Sequence, residues 1–153
     1  GTQDLTEEDW DTVMGINVKG AFLVAQAVVP AMRERKWGRV VFLGSIMSFV
    51  SVPLRAAYAT SKAALTGLSR TIALECATDH VCVNALCPGP VRTPMKDPVL
   101  KNREQSAAFA KKIPIGRWGE PDELRGMALY LCSPACSYTT GACLLVDGGW
   151  TAL

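Results

Sequence analysis

The sequence has little of what metal-binding or nucleic-acid-binding proteins require. His80 is its single histidine, and no two of its six cysteines form a Cys-x-x-Cys pair. The close ligand pairs of a zinc site are therefore missing, and no metal is expected. The net charge is only +2, and the one basic cluster, Arg33-Glu34-Arg35-Lys36, is too small for a nucleic-acid footprint. The cysteines lie in apolar, strand-like surroundings, which favours free thiols in a reducing, cytoplasmic compartment.

Long apolar runs and targeting signals are also missing. The longest run, from Ala21 to Met32, is interrupted by Gln26 and Pro30 and is shorter than a membrane span. The sequence contains no signal peptide, but it begins with Gly1 rather than methionine, so a targeting segment before Gly1 would not be visible. The 153 residues are 49% hydrophobic and 20% charged, which predicts one globular domain over 1–153, apparently truncated.

Helix and strand patterns alternate along the chain. Apolar periodicity predicts helices at about 7–36, 55–78, 102–112 and 120–131, and strands at 39–43, 81–86 and 143–147. This alternation favours a parallel α/β sheet. The segment from Val18 to Met32 is apolar almost all round, so we expect it to be buried on more than one face. Three strands make a small sheet with a bare edge, which indicates the later half of a larger doubly wound fold.

The chemistry is expected at Tyr58-Ala59-Thr60-Ser61-Lys62. Residues four apart lie on one face of a helix, so the phenol of Tyr58 and the ammonium of Lys62 are neighbours. A nearby positive charge favours the phenolate form of a tyrosine, and such a tyrosine exchanges a proton near neutral pH, as general acid–base catalysis requires. Taken alone, this spacing is also common on the exposed face of an amphipathic helix.

Other positions give the Tyr58–Lys62 pair a context. Ser45 ends a predicted strand, at the carboxyl edge of a parallel sheet where ligands bind. Asn17 lies in the preceding helix. The remaining motifs are Pro88-Gly89-Pro90-Val91-Arg92-Thr93-Pro94, Thr140-Gly141 and Val146-Asp147-Gly148-Gly149. In this order the residues resemble the short-chain dehydrogenase/reductase family over essentially the whole chain, from Trp10 to Gly149.

The resemblance implies the C-terminal half of a Rossmann-type fold and a catalytic tetrad of Asn17, Ser45, Tyr58 and Lys62. Tyr58 would exchange the proton of the alcohol or ketone oxygen, and Ser45 would hold that oxygen. Lys62 would bind the nicotinamide ribose, and Asn17 would break its helix locally and hold a water in a proton relay. The structural alternatives are a turn hydroxyl for Ser45 and a polar group at a helix kink for Asn17.

The resemblance also implies cofactor and substrate contacts. The Val91 backbone and the Thr93 hydroxyl would contact the cofactor, while Pro88 and Gly89 would shape that turn, for which a purely structural role is the alternative. The segment from Met95 to Trp118 is expected to form a substrate lid. The candidate substrate contacts are Met47, Met95, Phe109 and Trp118.

The sequence departs from the family pattern at its start. It lacks the Thr-Gly-x-x-x-Gly-x-Gly turn that brings backbone amides to the pyrophosphate, and it lacks the residue that selects NAD or NADP. The expected cofactor is therefore NAD or NADP, with the choice left open. We expect that this chain by itself neither binds the cofactor tightly nor turns over.

The predicted function is that of an oxidoreductase which, in the intact protein, transfers a hydride between NAD(P)(H) and an alcohol or ketone. The alternatives are a catalytically inactive fragment serving as an oligomerisation or binding module, and a domain that finds its missing strands on another chain. The sequence does not decide whether the substrate is a sugar acid, a 3-oxoacyl group, a steroid or another ketone or alcohol. The expected partners are a small-molecule substrate and a second copy, in a homodimer or homotetramer through the helices of Asn17 and Tyr58, with no nucleic acid and no membrane.

Overall fold

Parallel strands and the helices between them position the candidate site. The computed structural model describes residues 1–94 and 100–152. In these residues the helices are α1 (Glu7–Met14), α2 (Gly20–Glu34), α3 (Ala56–Cys76), α4 (Arg103–Ala110) and α5 (Arg125–Cys132), and the strands are β1 (Gly38–Leu43), β2 (Val81–Pro88) and β3 (Cys143–Val146). The predicted alternation of helices and parallel strands is confirmed.

The sheet has the order β1-β2-β3, and both strand pairs are parallel. Leu43 pairs with Leu86, and Ala85 pairs with Cys143, so the carboxyl ends of the strands lie at one edge. Within the described residues, β1 and β3 each have a partner on one side only. The bare sheet edge that the pattern predicted is therefore present, at both of these strands.

Helices cover both faces of the sheet, and β2 is buried on both of its sides. Val81, Val83, Ala85 and Cys87 face α2 and α3 and form the larger core cluster with residues of those helices. Leu86 belongs to a second cluster, which includes residues of α5. Successive side chains of a strand point to opposite faces, so a strand of this kind is covered by helices above and below.

The helix predicted over 7–36 is less buried and less regular than expected. A π-helical segment, Gly15–Lys19, separates α1 from α2. Ala25 is the one buried residue of α2, whereas Phe22 is 42% exposed and Val24 is 64% exposed. The expectation that the apolar segment is buried on more than one face is therefore wrong for this chain by itself, because only one side of α2 meets the sheet and α3.

The helical run from Glu7 to Glu34 also revises an expectation about membranes. It has 28 residues, and its most apolar window has a mean hydropathy of 1.5. By length and composition alone it is sufficient to cross a membrane, contrary to the expectation from the broken apolar run. Core helices of soluble proteins pass the same test, so the result describes an apolar helix and not its surroundings.

Asp79, in the short 3₁₀ turn that follows α3, forms ion pairs with two residues at the end of α2 and just after it. Its carboxylate accepts hydrogen bonds from Lys36 Nζ and Arg33 Nε, both at 2.5 Å. These bonds, to Lys36 first and then to Arg33, hold the pKa of Asp79 below its usual value. A depressed carboxyl pKa stabilises the fold above the usual pKa, and this stabilisation is lost as the pH falls through the lower folded-state value.

Asp79→Asn is therefore expected to reduce the acid sensitivity of the fold. The wild-type Tm should fall when the pH is lowered from about 5 to about 2, and the Tm of the variant should fall less over that range. Thermal unfolding of the purified chain at several pH values measures this. Asp122→Asn, at an exposed ion pair with Arg125, is the matched control. An equal fall of Tm with pH in wild type and Asp79→Asn would contradict the stabilising role of the ionised Asp79 carboxylate.

Candidate active site

Ser45 lies directly beyond β1, at the carboxyl edge of the sheet. The Gly44 N–H donates to Leu86 O at 2.8 Å and extends the pairing of β1 with β2 by one residue. Ser45 is 7% exposed and caps a short 3₁₀ turn, where its Oγ accepts a hydrogen bond from Met47 N at 3.1 Å. Because a hydroxyl that accepts one bond keeps its own hydrogen, Ser45 is able to donate to a ligand oxygen.

Tyr58 and Lys62 stand on one face of α3, as their spacing predicted. Lys62 Nζ lies 5.7 Å from the centre of the Tyr58 ring. The ammonium donates to Leu43 O at 2.7 Å, and Ser48 Oγ donates to the Lys62 carbonyl at 2.8 Å. The two bonds tie Lys62 to the end of β1 and to the turn after it. Tyr58 is 38% exposed, so packing within the described residues does not enclose it.

The position of Lys62 against the sheet edge affects the pKa of its ammonium group. Burial lowers the pKa of the Lys62 ammonium, because a charged group loses hydration there. Burial also raises the pKa of the neighbouring Cys87 thiol to about 11. Cys87 therefore stays neutral near pH 7 and places no negative charge beside Lys62.

Asn17 is placed in the π-helical segment, Gly15–Lys19, where the Gly20 N–H donates to Gly15 O. The local break in the helix that was expected at Asn17 is thus observed. Asn17 Nδ2 donates to Ser61 Oγ at 3.0 Å, and Ser61 Oγ donates to Tyr58 O at 2.8 Å. A chain of two hydrogen bonds therefore joins Asn17 to the helix turn that carries Tyr58.

Ser61 is a residue that the sequence analysis did not single out. It is fully buried, and it bridges α3 to the π-helical segment. The available signal was a hydroxyl directly before Lys62, in a helix turn otherwise rich in alanine. Its partner Asn17 is 44 residues away, so the contact itself could not be inferred from local spacing.

The turn after β2 is shaped by glycine and by a short backbone bridge. The Gly89 N–H donates to Val146 O at 2.9 Å, and a Cβ at Gly89 would come within 2.5 Å of Asp147 Cα. Only glycine permits this approach. Val91 forms a parallel bridge with Gly119, in which Arg92 N donates to Gly119 O and Gly119 N donates to Pro90 O.

The bridge leaves the peptide groups of Val91 available. In a parallel bridge of this kind the bonds come from the flanking residues, so the N–H and C=O of Val91 point to the opposite side. Within the described residues neither group has a hydrogen-bond partner. Val91 is 8% exposed and Thr93 is exposed, which places one backbone donor–acceptor pair and one hydroxyl on this turn.

The four candidate substrate contacts are in different situations. Met47 is half-buried in the turn after Ser45, and Met95 lies outside the described residues. The ring of Phe109 stacks on that of Trp118, with centroids 4.5 Å apart. Trp118 is only 3% exposed, so packing encloses its ring and the predicted substrate contact through Trp118 has no open surface to use. For Met47 and Phe109 the contact stays a prediction.

A cavity of about 350 Å³ borders Tyr58. Leu54 and Arg55, just before α3, line it together with residues at the start of the chain. No group of three or more histidine, cysteine or acidic side chains suited to a metal ion occurs within residues 1–94 and 100–152. The described site is thus built from hydroxyl, amide and ammonium groups.

Comparisons with known proteins identify the family of the chain. A family model described as enoyl-(acyl carrier protein) reductase matches residues 1–151. The chain is 39% identical to the 3-oxoacyl-[acyl-carrier-protein] reductase of Thermotoga maritima, over 95% of this chain and 58% of that protein. It is 40% identical to the human dehydrogenase/reductase SDR family member 4, over 95% of this chain and 52% of that protein.

A solved structure extends the likeness to the fold. A gluconate 5-dehydrogenase from Burkholderia cenocepacia, in complex with NADP and tartrate, superimposes with a TM-score of 0.95 at 34% identity. The superposition covers 99% of this chain and 60% of that one. The chain thus spans between about half and three fifths of the length of these relatives. On the matched residues and the shared fold, the chain belongs to the short-chain dehydrogenase/reductase family.

Proposed function

We propose that this chain is the catalytic half of an NAD(P)-dependent oxidoreductase that interconverts an alcohol and a ketone in the intact protein. The observation that carries the proposal is the placement of Tyr58, Lys62 and Ser45 at one edge of the sheet, with Lys62 Nζ 5.7 Å from the Tyr58 ring. Family membership supports it. The inactive-module alternative is not favoured, because all four tetrad residues are retained.

The donors and acceptors at the sheet edge fit a nicotinamide nucleotide. The N–H and C=O of Val91, which have no partner in the part of the chain that the structure describes, match the acceptor and the donor of a carboxamide group. Lys62 uses one N–H on Leu43 O, and its two remaining N–H groups suit the hydroxyls of a ribose. The bound cofactor supplies the hydride donor or acceptor. The residues fit the nicotinamide half, whereas the sequence lacks the glycine-rich turn for the pyrophosphate.

In the proposed reaction Tyr58 transfers a proton to the ketone oxygen or takes it from the alcohol. The Ser45 hydroxyl, which already accepts from Met47 N, donates to the same oxygen and holds it toward Tyr58. The charge of Lys62 stabilises the phenolate that forms when Tyr58 gives up its proton. Positioning of this kind, with preorganised donors at the atom where charge develops, supplies much of the rate enhancement in such sites.

Asn17 and Ser61 are proposed to support the proton transfer from the π-helical segment that packs against α3. The hydrogen bonds from Asn17 to Ser61 and from Ser61 to Tyr58 O hold the π-helical segment against α3. A π-helical turn displaces carbonyls from the regular α-helical bonding pattern, and a freed carbonyl is able to hold a water. This water would continue a relay from the site to solvent.

The exposed side of α2 supports a second proposal, that two copies associate through α2 and α3. Phe22, Leu23 and Val24 are between 42% and 64% exposed, and Leu74 of α3 is 81% exposed. Exposed apolar side chains grouped on one helix are typical of an interface with another chain. The molar mass in solution, measured by light scattering, tests the association.

All six cysteines are free, in keeping with a proposed cytoplasmic location.

The experiment for the function compares the full-length protein with the isolated chain. Both are assayed for NADH and NADPH binding, and for oxidation of either cofactor with sugar-acid, 3-oxoacyl and steroid ketones. We expect binding and turnover with the full-length protein, and neither with the 153-residue chain, because the pyrophosphate turn is missing from it. Steady cofactor oxidation by the isolated chain would contradict the second expectation. A full-length protein that neither binds nor oxidises either cofactor would contradict the proposed function.

A further inference from the structure

Helix α4 lies in an excursion of the chain that leaves the sheet edge and returns to it. Residues 92–118 begin after Val91 and end before Gly119, and these two residues are bridged. The bridge closes the base of the excursion through hydrogen bonds of 2.9 and 3.0 Å. The excursion starts at the carboxyl end of β2, the same sheet edge that carries Ser45.

Helix α4 depends on contacts from outside itself. It has eight residues, and none of them is buried. A helix this short is marginal in water without packing partners. Its Asn102 cap, which accepts from Gln105 N at 3.0 Å, satisfies one terminal donor but supplies no packing. The position of α4 is therefore set by the few tertiary contacts that it makes.

The principal described contact is a stack of three aromatic rings. Phe109 of α4 lies between Trp118 and Trp150, with centroid distances of 4.5 Å and 5.4 Å and interplanar angles of 18° and 17°. Trp118 Nε1 also donates to Ser106 O at 3.2 Å. Phe109 and Trp118 both belong to the excursion, whereas Trp150 follows the last strand. Trp150 thus joins α4 to a different part of the fold.

The turn that carries Trp150 is held firmly to the end of β3. The carboxylate of Asp147 accepts from Gly149 N at 2.9 Å, from Thr151 N at 2.9 Å and from Thr151 Oγ1 at 2.7 Å. These bonds flank Trp150 on both sides and fix the direction of its backbone. We name residues 147–151 the C-terminal clamp.

The C-terminal clamp also contacts residues 113–115, where the excursion returns toward the sheet. The Ile115 N–H donates to Gly148 O at 3.1 Å. Gly148 has a φ of +63°, and a Cβ there would lie 2.8 Å from Ile115 Cγ2. A Cβ at Gly149, where φ is +86°, would lie 3.1 Å from Pro114 Cβ. Two glycines thus allow the clamp backbone to pack directly on 113–115.

We propose that Trp150 is a positioning residue for substrate binding, which acts by holding α4 in place through Phe109. The proposal rests on the proposed function and on the expectation from the sequence that α4 belongs to the substrate lid, Met95 to Trp118. Loss of the Trp150 ring would release one face of Phe109 and leave α4 with contacts from its own excursion. The reacting groups at Tyr58 and Lys62 would be unchanged, so substrate affinity would suffer and the chemical step would not.

The test is Trp150→Ala in the full-length protein, with a substrate identified in the assay described above. We expect KM to rise about tenfold and kcat to stay within about threefold of wild type. Trp150→Phe keeps a stacking ring and should restore most of the affinity. Trp37→Ala is the matched control, because Trp37 is 45% exposed and lies beside Arg39 at the opposite end of β1.

Hydrogen exchange provides a readout that does not depend on activity. Amide exchange in 103–110 should be at least about tenfold faster in Trp150→Ala than in wild type, with the amides of α3 unchanged. If Trp150→Ala fails to fold, Trp150→Phe and Thr151→Val replace it, with smaller effects of the same kind. Unchanged exchange in 103–110, or an increase spread evenly over the protein, would overturn the proposal. If the wild-type protein shows no turnover, the proposed function fails. The exchange rates of 103–110 then show by themselves whether Trp150 holds α4 in place.

Discussion

Tyr58→Phe is expected to lower kcat of the full-length protein by about 10²- to 10⁴-fold, the usual contribution of a general acid–base. The substitution removes only the hydroxyl, and the ring that faces Lys62 is kept. No described hydrogen bond of the fold uses the Tyr58 hydroxyl, so the Tm should be almost unchanged. Steady-state rates, nicotinamide cofactor binding and thermal unfolding together measure the effect.

The control for this prediction is Tyr138→Phe, because the Tyr138 side chain is fully exposed and far from the tetrad in sequence. It removes the same hydroxyl group and should leave kcat unchanged. A Tyr58→Phe protein with more than about a tenth of the wild-type kcat would show that the proton is transferred by another group. The proposed role of Tyr58 would then be wrong, even if the family membership holds.

Lys62→Gln is expected to weaken nicotinamide cofactor binding by about 10- to 100-fold, since hydrogen bonds made by a charged group are worth more than neutral ones. It should lower kcat as well, because the positive charge beside Tyr58 is lost. Leu43, whose carbonyl accepts from Lys62, is 59% exposed, so water replaces that bond and the fold should tolerate the change. Cofactor titration and steady-state kinetics measure the two losses.

Two variants sharpen the interpretation of Lys62. Lys62→Arg keeps the charge but replaces a compact ammonium with a planar guanidinium, so it should recover little cofactor binding. Lys111→Gln removes an exposed lysine of the excursion and should change neither quantity. If Lys62→Gln binds the cofactor as tightly as wild type, the ribose contact is not made by Lys62.

The pH dependence provides a further check on Lys62. Burial lowers the pKa of its ammonium, so the positive charge is lost at a lower pH than for a lysine in water. The affinity for the cofactor should accordingly fall as the pH rises through this lowered pKa. Below that pH the affinity should be at its full value. In Lys62→Gln this alkaline weakening should be missing.

Local patterns were sufficient to predict the elements and the Tyr58–Lys62 pair. A spacing of four residues places two side chains on one helix face whatever the rest of the chain does. Buried parallel strands are short apolar runs, and all three were predicted within about two residues of their observed ends. The helix at 120–131 was predicted as one element, but it begins as a 3₁₀ turn, Pro121–Leu124, before α5. Such boundaries depend on capping contacts that a periodic pattern does not encode.

Contacts between distant segments were beyond the reach of the patterns. The bond from Asn17 to Ser61 and the stack of Phe109 on Trp150 join residues far apart in the sequence. Trp118 was predicted to contact substrate, yet its ring is enclosed by packing. An aromatic residue in a loop pattern is equally suited to a binding wall and to an anchor, and only its neighbours in space distinguish the two.

The sequence by itself determined the parallel α/β class through its periodicity and the family through an ordered set of motifs, and it singled out Asn17, Ser45, Tyr58 and Lys62 as the expected tetrad. The tertiary structure decided which groups are left to act. Among residues 1–94 and 100–152, it places Lys62 against Leu43 O, leaves the peptide groups of Val91 unpaired and leaves one side of α2 uncovered. The physical reason is that hydrogen-bond satisfaction and burial are properties of the packed chain. A residue type states what a side chain can donate or accept, and packing determines what is already taken.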